Sequence, residues 1–226
     1  ERRATSAELL HVERRSVERG RLLLEPELSS AFDRWLELVV AHGHHEVERP
    51  GLRGLFAGPS GTGKTLAAQV TAATRRRPLA RVDLSAVTSK WLGETEKNLR
   101  SAFETARALG AVLLIDEGDA LLGARGDVDR GSDRYANMEV AYLLQAIESF
   151  DGICVVTTNL PENIDPAFAR RFETILHFAR PSGSMARAHW RRSLGPAVEE
   201  ALIDWLVERM PVSGGEIASI GVVARG

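Results

Sequence analysis

Gly58-Pro59-Ser60-Gly61-Thr62-Gly63-Lys64-Thr65 is the stretch that most restricts what this 226-residue chain can become. It follows an apolar run, Leu52 to Ala57, that reads as a short buried strand. It precedes Leu66-Ala67-Ala68-Gln69-Val70, which reads as the first turns of a helix. A strand, a glycine-rich turn and a helix form the setting in which G-x-x-x-x-G-K-[ST] is a phosphate-binding loop. The glycines let successive backbone N–H groups curl around an anion where a Cβ would block the required torsions. The helix behind the loop directs the positive end of its dipole at the same anion. On that chemistry Lys64 reaches the β- and γ-phosphates of a nucleotide, and the Thr65 hydroxyl ligates Mg²⁺. A glycine-rich turn that matches by chance is the alternative, and the flanking strand and helix argue against it.

A second site-forming stretch lies downstream. Ala111 to Ile115 is a continuous apolar run ending in Asp116-Glu117. A run apolar on both faces suits a central parallel strand, and the C-terminal ends of such strands are where ligands bind in open α/β sheets. Two adjacent buried carboxylates are costly without a cation to justify them. Asp116 is therefore the expected Mg²⁺ carboxylate, acting through water, and Glu117 the group that polarises a water for attack on the γ-phosphate.

The remaining segments read as alternating strands and helices. Residues 1–27 are charged with scattered apolar positions, and are expected to be a helical arm or linker, with a solvated tail or an arm against the core as the alternatives. From Leu28 to Val40 apolar residues recur at helical spacing after Pro26, which suits a helix start. His42-Gly43-His44-His45-Glu46 invites a metal reading, but its spacing fits no zinc pattern and it precedes Pro50-Gly51, so a polar loop is expected. Leu79 to Leu84, Ile153 to Thr158 and Thr174 to Phe178 read as further strands. Leu99, Phe103, Ala106 and Leu109 share one helix face, as do Ala136, Val140, Leu143, Leu144 and Ile147, with a polar loop over 123–134 before the latter. The order predicts an α/β fold with a five-stranded parallel sheet between helices. Helices over 186–194, 199–210 and from Gly214 onward predict a small helical lid, carried in whole or in part by this sequence.

Composition removes several classes. The net charge of −2 gives no basic field for nucleic acid. No long uncharged apolar run marks a membrane span, and Glu1-Arg2-Arg3 does not open a signal peptide. Cys154 is the single cysteine, which fits a reducing cytoplasm.

Taken together these elements resemble the AAA+ ATPases. Gly58 to Thr65 matches Walker A, with Leu66 following it, and Leu113 to Glu117 matches Walker B. Thr157-Thr158-Asn159 resembles the sensor-1 strand end, Arg170 and Arg171 the arginine-finger pair, and Lys90-Trp91-Leu92-Gly93 the aromatic pore loop of substrate-threading members. Gly214-Gly215-Glu216-Ile217 resembles the start of the lid helix in the AAA clade. The resemblance covers roughly residues 28 to 226 and divides the chain into 1–27, a nucleotide-binding domain over 28–181 and a lid over 182–226. A narrower similarity, carried by Asp83-Leu84-Ser85, Gly93-Glu94-Thr95-Glu96-Lys97-Asn98, Asp133 to Val140 and Asp165 to Phe172, is to bacterial ATPases encoded beside phage-tail-like contractile injection systems. Three spellings depart from the family pattern. Asp116-Glu117-Gly118-Asp119 has Gly118 inside Walker B, Arg170 and Arg171 are adjacent, and the pore aromatic is Trp91, which keeps a flat apolar face for gripping a polypeptide.

The resemblance implies a ring, usually a homo-hexamer, with ATP at subunit interfaces. Gly58 to Leu66 and Asp116 would bind ATP with Mg²⁺ on Thr65 and Asp116, while Glu117 and Asn159 handle the water. An arginine, Arg170 before Arg171, would reach the neighbour's nucleotide. Trp91 would pull a polypeptide through the pore. The rival readings are a nucleic-acid motor or loader, for which Arg75 to Arg77, Arg125, Arg130 and Arg134 give some support, and an ATP-switched scaffold with slow hydrolysis. Trp91 as an ordinary packing aromatic, and Arg170 or Arg171 in an intrachain pair with a residue such as Glu173, are the structural alternatives.

Overall fold

The computed structural model describes residues 10–14, 16–42, 51–84, 92–119 and 141–225, with backbone alone at 83 and 92–96. Among the described residues six strands form one sheet: β1 (Leu10–Glu13), β2 (Leu52–Ala57), β3 (Leu79–Asp83), β4 (Val112–Asp116), β5 (Ile153–Thr158) and β6 (Thr174–His177). Their spatial order is β1-β3-β4-β5-β2-β6. The five expected strands are all present and mutually parallel. The sixth, β1, adds antiparallel to β3, with Leu10 opposite Val82 and Glu13 opposite Leu79.

That strand corrects the helical reading of the N-terminal segment. Leu10 and Val12 alternate with His11 and Glu13, a period of two that fits a sheet edge. Partners for its backbone come from β3, some seventy residues away, so the local sequence could not announce them. Arg19–Arg21 is a single 3-10 turn, and Val17, Leu22 and Leu24 are buried against the domain.

The strand interiors are buried on both faces because helices cover both. Leu113 and Ile115 face one core with Leu99, Ala102, Phe103 and Ala106 of the helix over 92–108, and with Leu143 and Ile147 of the helical residues 141–149. Val112 and Leu114 face the other core, with Phe32, Trp35 and Val39 of α1 (Pro26–His42) and Ala67, Ala68 and Val70 of α2 (Lys64–Thr74). Helix 92–108 is α3 (Leu92–Ala108). Pro26 opens α1 with a preset φ and no N–H to satisfy. The Trp35 indole donates to the Thr71 hydroxyl at 3.0 Å and ties α1 to α2.

Beyond β5, Asp165 caps the single turn α4 (Pro166–Ala169), its carboxylate accepting from the Ala167 N–H at 2.7 Å. Helices α5 (Gly183–Leu194), α6 (Glu200–Arg209) and α7 (Gly214–Arg225) follow β6. They share a separate small core of Trp190, Ile203 and Ile217. Ser213 and Glu216 form a reciprocal capping box at the start of α7, with the Ser213 N–H on the Glu216 carboxylate at 2.7 Å and the Glu216 N–H on the Ser213 hydroxyl at 3.3 Å. The Ser213 backbone and hydroxyl hold the Glu216 carboxyl below its ordinary pKa. No helix among the described residues is long and apolar enough to cross a membrane.

Candidate active site

The loop 58–63 leaves β2 and enters α2 through left-handed glycines. Gly61 has φ +76° and Gly63, at the helix N-cap, φ +100°. No side chain caps α2, so its first N–H groups are left open to an anion. At Gly58 a Cβ would lie 1.9 Å from the Phe178 carbonyl oxygen, so only glycine fits between β2 and the residue that follows β6.

Lys64 is buried and all three ammonium hydrogens are matched. Nζ donates to the carbonyls of Gly58 at 2.6 Å and Pro59 at 2.8 Å, and to Asn159 Oδ1 at 2.9 Å. Burial lowers its pKa, opposed by the charges of Asp116, Asp119 and Glu117. A phosphate oxygen reaching Lys64 would replace one of these acceptors.

Thr65 and Asp116, the two residues expected at the metal, lie side by side. Thr65 Oγ1 lies 3.4 and 3.3 Å from the two carboxylate oxygens of Asp116. A hydroxyl beside a carboxylate is a hard oxygen donor pair of the kind Mg²⁺ takes. Asp116 Oδ1 also accepts the Thr157 hydroxyl at 2.5 Å, and Oδ2 pairs with Arg81 at 2.9 Å. Arg81 was not singled out from the sequence. The available signal was its place on β3 beside β4, opposite Leu114 in register.

Glu117 is exposed and adopts φ +56°, rare for a residue with a Cβ. Its N–H donates to the Thr157 hydroxyl at 3.1 Å, and the Gly118 N–H donates to the Thr157 carbonyl at 2.8 Å. The chain thus turns off β4 at Glu117 and runs back along the end of β5. Asn159 sits at that end, and Asp119 accepts from its backbone N–H at 2.8 Å.

Lys64, Thr65, Arg81, Asp116, Glu117 and Asn159 line one cleft of about 650 Å³ together with Leu22 to Glu25, Met185, His189 and Gly215. Motif reading points to Gly214 and Gly215 on the lid wall, but to none of the N-terminal wall nor to Met185 and His189. Arg192 of α5 donates to the carbonyls of Arg21 at 2.8 Å and Gly20 at 3.0 Å, which fastens the lid to the N-terminal segment. His189 is half-buried against Gly214, and burial lowers its pKa against an opposing hydrogen bond with the Leu23 backbone. The Gly215 N–H donates to the Gly61 carbonyl at 2.8 Å, so α7 meets the phosphate loop directly.

The paired arginines separate. Arg171 pairs with Glu148 and donates to the Ala167 carbonyl at 2.9 Å. Arg170 is exposed and makes no side-chain hydrogen bond or ion pair with any described residue. Glu173, the expected intrachain partner, instead holds Arg53 at 2.7 Å. Lys90 and Trp91 lie outside the described residues, and Leu92 and Gly93 enter only as the backbone that opens α3. His42 ends α1, while His44 and His45 lie outside the described residues, as does 123–134. Among the described residues no cluster of three or more His, Cys, Asp or Glu is arranged to hold a metal.

A mostly parallel sheet between helices, a phosphate loop off one strand and an acidic pair off another define a P-loop nucleoside triphosphatase fold. The profile of the ATPase family associated with various cellular activities (AAA) matches residues 54–180, and the chain belongs to that family. An uncharacterized AAA family ATPase, y4kL, of Sinorhizobium fredii (strain NBRC 101917 / NGR234) is 43% identical over 133 residues, covering 58% of this chain and 40% of that protein. Human fidgetin-like protein 1 is 41% identical over 143 residues, covering 59% of this chain and 21% of that one. The chain thus spans two fifths or less of these relatives. The crystal structure of the FIGL-1 AAA domain superposes with a TM-score of 0.73 at 24% identity, covering 96% of this chain and 74% of that chain. The same domain in complex with ADP gives 0.72 at 24% identity, covering 96% and 75%. At that identity the structures establish the shared fold.

Proposed function

We propose that this domain hydrolyses ATP as part of a ring, usually of six copies, and uses the cycle to remodel or unfold a polypeptide drawn through a central pore. The observation that carries the reading is the convergence of Lys64, Thr65, Asp116, Glu117 and Asn159 on one cleft, while Arg170 stands exposed without a described partner.

Lys64 and the open N–H groups of α2 would bind the phosphates. Thr65 and Asp116 would hold Mg²⁺, which when bound neutralises phosphate charge. Glu117 accepts a proton as the water oxygen bonds to the γ-phosphorus; the bond from that phosphorus to the bridging oxygen breaks, and ADP leaves with the electron pair. Arg170 of a neighbouring copy would stabilise charge on the transferring group, an effect on the order of 10³- to 10⁵-fold. Trp91 in Lys90 to Gly93 is the proposed grip on the polypeptide. The resemblance of Asp83 to Ser85, Gly93 to Asn98, Asp133 to Val140 and Asp165 to Phe172 to ATPases encoded beside contractile injection systems supports a link to such a system, in a bacterial cytoplasm.

ATP turnover per subunit, measured across a wide range of protein concentration, tests this. A cooperative rise is expected, because each site is completed by its neighbour. Constant, appreciable turnover at all concentrations would remove the ring. Glu117→Gln should keep ATP binding and lose turnover by about 100-fold or more.

A further inference from the structure

Asp119 ends the acidic stretch Asp116-Glu117-Gly118-Asp119, and the reading above gives it no task. Its two carboxylate oxygens collect three donors from two consecutive residues at the end of β5. Oδ1 accepts the Thr158 hydroxyl at 2.5 Å and the Asn159 N–H at 2.8 Å. Oδ2 accepts the Asn159 side-chain amide, Nδ2, at 3.3 Å. The Thr158 hydroxyl in turn accepts the Leu160 N–H at 3.0 Å, so the backbone on both sides of Asn159 is held.

The chemistry of these partners fixes which way the Asn159 amide faces. A carboxylate only accepts hydrogen bonds and an ammonium only donates them. Asp119 therefore takes the NH₂ end, and Lys64 takes the carbonyl end at 2.9 Å. A flipped amide would oppose donor to donor at Lys64 and acceptor to acceptor at Asp119. Both neighbours are charged, so each mismatch would cost more than an ordinary lost hydrogen bond.

We propose that Asp119 is a positioning residue that locks Asn159 with its carbonyl oxygen toward Lys64 and the cleft, so that Asn159 acts on the attacking water as a hydrogen-bond acceptor. A water molecule has two hydrogens. Glu117 receives the one that is transferred, and Asn159 Oδ1 holds the other, leaving a lone pair free for the γ-phosphorus. This rests on the roles given to Glu117 and Asn159 above.

The test uses the full chain at a fixed, assembly-saturating concentration, with ATP turnover and binding of a fluorescent ADP (mant-ADP) measured in parallel. Asp119→Asn keeps volume but presents an NH₂ where Asn159 needs an acceptor. It should lower kcat by about 10- to 100-fold and change mant-ADP affinity by less than about threefold. In a double-mutant cycle, Asp119→Asn with Asn159→Ala should be no slower than Asn159→Ala alone. Asp119→Glu keeps an acceptor-only group and should recover part of the rate. Multiplicative losses in the double variant, equal rates for the Asn and Glu variants, or a loss confined to mant-ADP affinity would overturn the proposal. If Asn159→Ala itself leaves kcat unchanged, the underlying reading of the site fails first. If Asn159→Ala is slow and Asp119→Asn is not, only the role of Asp119 fails.

Discussion

Arg81 on β3 reaches across to Asp116 on β4 and pairs with its Oδ2 at 2.9 Å, although neither the loop motif nor the acidic motif contains an arginine. Asp116 is buried, whereas the Arg81 side chain is 39% exposed, so the pair lies at the cleft wall and solvent screens it in part. The carboxylate proposed for Mg²⁺ thus carries a cation from its own chain. Arg81→Ala should tighten Mn²⁺ binding in the presence of ADP on the order of tenfold, ~1.4 kcal/mol, read by electron paramagnetic resonance. The same change should lower the melting midpoint without metal. Weaker Mn²⁺ binding would show that Arg81 supports the metal carboxylate instead of competing for it.

Arg170 and Arg171 are adjacent and should behave differently. Arg171→Ala removes the pair with Glu148 and the bond to the Ala167 carbonyl. As a half-exposed pair it should cost about 0.5–1 kcal/mol and lower the melting midpoint by about 1–4 °C. Arg170→Ala should leave the midpoint unchanged and abolish the concentration-dependent part of ATP turnover. Mixing it with Lys64→Ala subunits should restore part of that turnover, since each supplies what the other lacks. Absence of rescue at every mixing ratio would count against an arginine acting between subunits.

The contact of α7 with the phosphate loop makes a separate demand on Gly61. A Cβ there would stand 2.3 Å from the Ser213 hydroxyl, and φ is +76°. Gly61→Ala adds about 1–2 kcal/mol of left-handed strain and forces the start of α7 outward. Mant-ADP affinity should fall by about tenfold or more, because both walls of the phosphate end move apart. Affinity within twofold of the parent would show that the lid contact does not shape the cleft.

Cys154 lies in the sheet with no exposed surface, and burial pushes its thiol up to about 12 from 9.0. At pH 8 it stays protonated and inaccessible, so a disulfide reagent should react with the unfolded chain only. Above pH 9 the unfolded thiol ionises while the folded one keeps its proton. The folded state then binds more protons, and this group's contribution to stability falls as pH rises from 9 toward 12. Rapid labelling of the folded chain at pH 8 would contradict the burial.

The local spacing of apolar residues was enough to read β2 to β6, the loop Gly58 to Thr65 and the acidic strand end at Asp116-Glu117. Each is defined by neighbours within a few residues, and its torsions or alternation are written in that stretch. The stretch Gly214 to Ile217 is readable in the same way as a helix start, and Ser213 before it completes the capping box with Glu216. β1 was misread because its partner strand is remote and its four residues carry too little periodicity to exclude a helix. The pairs Arg81–Asp116, Arg171–Glu148, Asp119–Asn159 and Gly61–Gly215 lie in no single stretch. Arg81–Asp116 and Asp119–Asn159 exist because parallel strands joined by long crossovers bring their C-terminal ends to one edge, Arg171–Glu148 because the helix before β5 and the turn before β6 meet near the strand starts, and Gly61–Gly215 because the lid folds back onto the loop. The sequence by itself determined which residues could bind phosphate and carry charge. Tertiary structure alone decided which charges meet, since a side chain's partner is set by sheet order and register, and these follow from burying both faces of the sheet at once.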